Sequence, residues 1–218
     1  MATTTIDELT IADDLAAWAA LGFTIEGGAA LLGRVSLRFT GPGAERGIVG
    51  WSLRELASTE LDGLPTTTSA REVPAPGGEH PNGVLAIDHI VAMSPALERS
   101  VEALQEAGLD LRRIREEPTP AGAPRQAFFR LGEEILELVQ EPEDVVERAG
   151  GPAHPSRFWG LALLAPDLDA TVARMAPHAG EPRAAVQAGR RIATVRRSAG
   201  LAVALALMSP DERVEGER

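Results

Sequence analysis

Val84-Leu-Ala-Ile-Asp-His-Ile-Val-Ala-Met93, followed at once by Ser94-Pro95, is the stretch that decides the fold. The run through Met93 is apolar and largely β-compatible. Ser94-Pro95 then starts a helix, with Ser as N-cap and Pro in the first turn. Leu97, Val101, Leu104 and Ala107 recur at helical spacing, and Gly108 stops the helix. Residues 109–115 read as a second strand. Residues 126–131 and 135–139 read as two more, joined by a hairpin turn at Gly132-Glu133-Glu134. The order over 84–142 is therefore β, α, β, β, β.

Working outward, residues 156–210 repeat this plan. Phe158-Trp-Gly-Leu-Ala-Leu-Leu164 is the strand and Ala165-Pro166-Asp167 opens the helix, whose face carries Leu168, Val172 and Met175. Residues 191–196 and 201–208 are its later strands. Pro95 aligns with Pro166 and Leu97 with Leu168, a constant offset of 71 residues. A truncated copy stands in front, in residues 1–57. There Ile6-Asp7-Glu8 resembles Ile87-Asp88-His89, and Asp13 is the expected cap of a short helix ended by Gly22. Residues 33–39 and 47–56 are expected to pair as a hairpin. Its apolar face (Leu9, Ile11, Leu37, Phe39, Val49) needs cover from the rest of the chain or from a second copy in a homodimer. Residues 58–83, rich in Thr, Pro and Gly, read as a linker.

Composition narrows the chemistry. The chain has 218 residues and no cysteine, which excludes disulfides, thiolate metal sites and cysteine nucleophiles. All 21 basic residues are arginine, so no lysine can form a Schiff base. Tyrosine is absent too. A net charge of −11 repels phosphate backbones and argues against nucleic acid as a partner. The arginine pairs 112–113, 190–191 and 196–197 are expected mostly on solvated faces. No secretory signal and no run of roughly 20 apolar residues is visible, so no membrane partner is expected and the cytoplasm is the default location. No nucleotide loop, HExxH pair or Gly-x-Ser-x-Gly elbow occurs.

The run Ala86-Ile-Asp-His-Ile-Val-Ala-Met-Ser-Pro95, with Arg125-Gln-Ala-Phe-Phe-Arg-Leu-Gly132 and Ile135-Leu-Glu-Leu-Val139, resembles a module of the vicinal-oxygen-chelate superfamily. That superfamily includes glyoxalases, bleomycin-resistance proteins and extradiol dioxygenases. The resemblance implies an α+β fold of paired βαβββ modules, with the truncated module added at the N-terminus. It implies a cavity that often holds a divalent metal, with ligands from the first and fourth strands of each module. His89 and Glu137 stand at those two positions, and imidazole and carboxylate suit Fe, Mn, Ni or Zn. In the second full module the first-strand position is Gly160, and the last strand has no acidic residue. Gly160 would then widen the pocket. If the first two modules paired instead, Glu8, Glu55, His89 and Glu137 would face one cavity.

Beside this stands a plainer reading: a histidine in an apolar strand is more often a satisfied pocket residue than a ligand. Arg125 and Arg191, each before a third strand, are candidates to attract an anionic group of a small-molecule ligand. Trp159 is a candidate for the pocket mouth, Trp18 and Trp51 for the core, and His80 and His154 for loops. Three function classes stay open. One is a metal-dependent lyase, isomerase or dioxygenase. Another is a metal-free protein that sequesters or senses a small ligand. The last is a purely structural or assembly module.

Overall fold

In the computed structural model, which describes residues 3–119 and 122–211, the chain forms two sheets. The first is built from β1 (Thr5–Ala12), α1 (Leu15–Ala20), β2 (Ala29–Leu32), β3 (Val35–Phe39), β4 (Gly47–Arg54) and β5 (Thr66–Thr68). Its strand order is β2-β3-β1-β4-β5. The second contains β6 (Ala86–Ser94), α2 (Leu97–Glu106), β7 (Asp110–Arg115), β8 (Gln126–Leu131), β9 (Glu134–Gln140), α3 (Glu143–Arg148), β10 (Arg157–Leu164), α4 (Leu168–Arg174), β11 (Arg183–Ala184), β12 (Arg191–Thr194) and β13 (Ala204–Met208). Its order is β11-β12-β13-β10-β6-β9-β8-β7. Two βαβββ units thus lie side by side, joined by the antiparallel pair of their first strands, β6 and β10.

Alternation sorts the side chains between the two faces of this sheet. Ala127, Phe129, Leu136 and Leu138 are fully buried on the side where Leu97, Val101 and Leu104 of α2 pack. Each of the larger of these side chains, Phe129, Leu136 and Leu138, is worth ~1.5–3 kcal/mol relative to exposure. Gln126, Phe128 and Glu137 fall by the same alternation on the opposite, helix-free face. Helix starts depart by a residue or so from expectation. Asp14, not Asp13, caps α1 through Ala16 N–H at 2.9 Å. Asp13 is buried instead, accepting from Trp18 Nε1 and from Ala202 N–H. Ser94 accepts from Ala96 N–H, and α2 begins only at Leu97.

The first sheet corrects the expected hairpin. β3 pairs with β2, and β4 pairs instead with β1, antiparallel. Strand for strand, β2-β3-β1-β4-β5 has the same parallel and antiparallel relations as β8-β9-β6-β10-β13. The irregularities coincide as well. Register shifts fall at Asp7 on β1 and at Asp88 on β6, and again at Val49 on β4 and Trp159 on β10. Each is a one-residue bulge that re-aims the chain.

Residues 58–83 are no free linker. They carry β5 and bury Leu61, Leu64, His80 and Asn82. His80 sits in a turn, yet its ring bridges Thr24 N–H (3.0 Å) and Leu31 O (3.1 Å), and burial holds its pKa low. The two sheets share one apolar core, in which Trp51 packs edge-on against Phe158 with centroids 5.1 Å apart.

Candidate functional site

The bulge at Asp88 turns two consecutive residues toward each other. Asp88 Oδ1 lies 2.8 Å from His89 Nδ1. On the other side of the ring, His89 Nε2 lies 3.3 Å from Glu137 Oε2. Gln126 Nε2 donates to the other Glu137 oxygen, and Arg190 donates to Asp88 Oδ2. Arg190 is fixed in turn by Ser209 O at 2.7 Å. A polar relay, Gln126–Glu137–His89–Asp88–Arg190, therefore crosses from one module to the other.

The two carboxylates are pushed apart in acidity. Burial raises the pKa of Glu137, and this outweighs the lowering by His89 and by the Gln126 hydrogen bond. Burial pushes Asp88 the same way, but hydrogen bonds from His89 and Arg190 and their charges carry it below the ordinary value. An imidazolium can donate to both carboxylates. A neutral ring satisfies both sides only if Glu137 keeps a proton. Glu137 and His89 Nε2 thus stand within hydrogen-bonding reach of each other, at 3.3 Å.

The second module offers this face no polar partner from its first or last strand. Opposite His89 stands Ala162, and beside Ala162 stands Ala206; Gly160 lies next to Ala204. Gly160 does not widen a pocket, as the sequence suggested. A Cβ there would lie 2.4 Å from Ala204 O, so the glycine is what lets β13 approach β10 at the bulge. A ligating side chain has no room at that position. Among the described residues no group of three or more His, Asp or Glu side chains could hold a metal. Two donors from one module, with both imidazole nitrogens already facing carboxylates, do not fit the three or four ligands a divalent metal needs.

The other candidates lie elsewhere. Arg125 is held by Glu98 and Glu116, at the α2 side of the sheet. Arg191 is held by Asp169 of α4 at 2.7 Å. Neither reaches His89. The arginine that joins the cluster is Arg190, the residue just before Arg191 and β12, and it does so through Asp88. Trp159 is the β10 bulge residue, 53% exposed. Glu8 lies in the other sheet, bound to Arg38 and Arg71, and Glu55 is exposed beyond β4. The arrangement of Glu8, Glu55, His89 and Glu137 around one cavity is excluded because β6 pairs with β10 and not with the first sheet. His154 Nε2 lies 3.5 Å from buried Glu141, away from this cluster.

No family model matches the chain, and no curated protein matches it. Solved structures do. Methylmalonyl-CoA epimerase from Mycobacterium tuberculosis superposes with a TM-score of 0.50 at 19% identity, over 62% of this chain and 93% of its own. A fusion of a xylose isomerase-like TIM barrel with 4-hydroxyphenylpyruvate dioxygenase superposes with a TM-score of 0.61 at 11% identity. It covers 97% of this chain, which spans half of the fusion's length. Both neighbours are vicinal-oxygen-chelate proteins, and this chain has that α+β fold of paired βαβββ modules. No helix among the described residues is long and apolar enough to cross a membrane.

Proposed function

We propose that the chain binds a small organic molecule on the helix-free face of its C-terminal module pair, using the His89–Glu137 pair as a polar anchor and no divalent metal. The observation that carries this reading is the relay itself. Its imidazole is braced on both nitrogens, and the residues beside it on β10 and β13 are the alanines Ala162 and Ala206. Small side chains leave space for a ligand, and a braced ring gives it a fixed partner.

A second reading, an isomerase that moves a proton, is favoured by the opposite displacement of the two carboxylates. A carboxyl raised by burial on one side of an imidazole, and an arginine-held carboxyl lowered on the other, is a pairing that general acid–base chemistry can use. The chain's own residues would then orient the substrate and exchange one proton at His89 Nε2 or Glu137.

The test is a thermal-shift series with small 2-oxo acids, dicarboxylic acids and acyl-CoA esters, the last because one neighbour is an epimerase of such an ester. Each is run with and without a chelator, beside metal analysis of the purified protein. The stabilising shift should survive chelation. His89→Ala should remove most of it while changing the unliganded melting temperature little. Stoichiometric Fe, Mn, Ni or Zn would overturn the metal-free reading. An unchanged shift in His89→Ala would overturn the site.

A further inference from the structure

The duplication extends to the reactive positions. The bulge places Glu8 on β1 where His89 stands on β6, and the parallel register places Arg38 on β3 where Glu137 stands on β9. Arg38 Nε lies 2.9 Å from Glu8 Oε2, so this pair occupies the place of the His89–Glu137 pair. The bulge carboxylate Asp7 is held by arginines too, as Asp88 is by Arg190. It binds Arg54 and accepts from Arg71 Nε at 2.7 Å. Ser69 Oγ donates to it at 2.8 Å. The neighbours on this face are mostly small or hydroxylic, Thr10, Ala29, Ser36, Ser52 and Thr67, with Leu31 at the β2 edge.

We propose that this helix-free face of the first sheet is a second binding site, for the oxyanion of a small molecule, a phosphate or a carboxylate. Three arginines, Arg38, Arg54 and Arg71, meet two carboxylates, Asp7 and Glu8, so the cluster keeps an excess positive charge inside a chain of net charge −11. Arg54 is buried and spent on the protein: it donates to Asp7, Ile6 O and Arg71 O. Arg71 gives Nε to Asp7 and Nη2 to Asp7 and Glu8, and Arg38 is committed less, yet both reach solvent. Their side chains are 45% and 57% exposed. Arg38 uses only Nε on Glu8, which leaves both terminal nitrogens without a protein acceptor among the described residues. A guanidinium with its terminal edge turned outward is the geometry that grips an oxyanion with two parallel hydrogen bonds. Asp7 and Glu8 hold the two arginines in place, as a first-sheet counterpart to the bracing of His89. This site stands on its own observations and does not depend on the ligand of the second sheet.

The probes are inorganic phosphate, pyrophosphate and succinate, titrated into the full-length protein at constant ionic strength and followed by the NMR signals of the arginine Nε–H groups. The signals of Arg38 and Arg71 should shift saturably. The phosphates and succinate separate the two kinds of oxyanion. Arg38→Gln should weaken binding about tenfold, the loss expected for a charge-assisted hydrogen-bond pair. Glu8→Gln should tighten it, because it removes the competing carboxylate; a purely structural ion pair gives no such gain. His89→Ala should leave it unchanged, which separates this site from the one in the second sheet. Absence of saturable shifts overturns the proposal. So does binding that survives Arg38→Gln, or binding that Glu8→Gln weakens while the melting temperature holds.

Discussion

The two sheets are copies of one plan with different contents. Both have a first strand bulged at an aspartate, a facing strand bulged one residue before a glycine, and arginine holding the aspartate. Yet the second sheet places an imidazole and a carboxylate at the paired positions, and the first places a carboxylate and a guanidinium. One backbone device carries different chemistry in the two sheets. The bulge fixes where two side chains meet and leaves open which two they are.

The severest way to break this comparison is to separate the halves. Residues 84–218 expressed alone should be poorly soluble and lack a cooperative melt, because Phe158 and its neighbours lose their cover on Trp51. Near-ultraviolet circular dichroism and a denaturant titration check this. A fragment as stable as the full chain would show that the first sheet is an appendage.

Next come the two bulge carboxylates. Asp7→Ala leaves buried Arg54 beside an empty place and should cost ~3–5 kcal/mol. Asp88→Ala should cost less, since Arg190 keeps Ser209 O and Gln187. Urea titration of both variants ranks them, and the reverse order would sink the assignment of Asp7 as the more deeply committed anchor. The glycines after the second bulge sharpen the same contrast. Gly160→Ala would push a methyl to 2.4 Å from Ala204 O, whereas Gly50→Ala meets Pro65 O at 3.2 Å. The first should destabilise by about 1–3 kcal/mol and the second by clearly less.

The smallest expected effect lies at the seam between the sheets. Gly132 abuts Thr5 there, and Glu134 is buried. Burial raises the Glu134 carboxyl to about 7, and Glu133 adds to the rise. A folded pKa above the ordinary 4.5 means that the native state holds the extra proton. The stability this contributes is full below that ordinary value and is lost as pH rises through about 7. Glu134→Gln should therefore match the parent at pH 4 and exceed it by on the order of 1 kcal/mol at pH 8. Paired denaturation curves at the two pH values check this, and a difference independent of pH would remove the carboxyl from the explanation.

Much of the second sheet was legible because its signals are local. The apolar run at 84–93, the helical recurrence of Leu97, Val101 and Leu104, and the Gly132 turn each depend on a few neighbouring residues. His89 and Glu137 could be paired because the fold sets the first and fourth strands side by side. The first sheet was harder. Whether β4 closes a hairpin with β3 or crosses to β1 is a long-range choice that its alternation does not encode. A strand of three threonines in a segment rich in proline reads as loop until β4 supplies its partner. Arg190 is not legible as a site residue because it stands just before β12, and nothing in the pair Arg190–Arg191 marks which of the two turns to Asp88. Asp88 belongs to the site only through the bulge, which no residue type announces.

Asp62 carries a consequence for how the chain assembles. Its carboxylate binds Arg99 at 2.7 Å, Ser156 at 2.8 Å and Ser100, which joins the segment after β4, the helix α2 and the entry to β10. Burial alone would raise its pKa, but these bonds hold it below the ordinary value. Three stretches distant in sequence must arrive before that carboxylate is fully bonded. It acts as a three-way tie: loss of any one of these partners would leave a buried carboxylate short of a bond at the meeting point of both modules and the crossing segment.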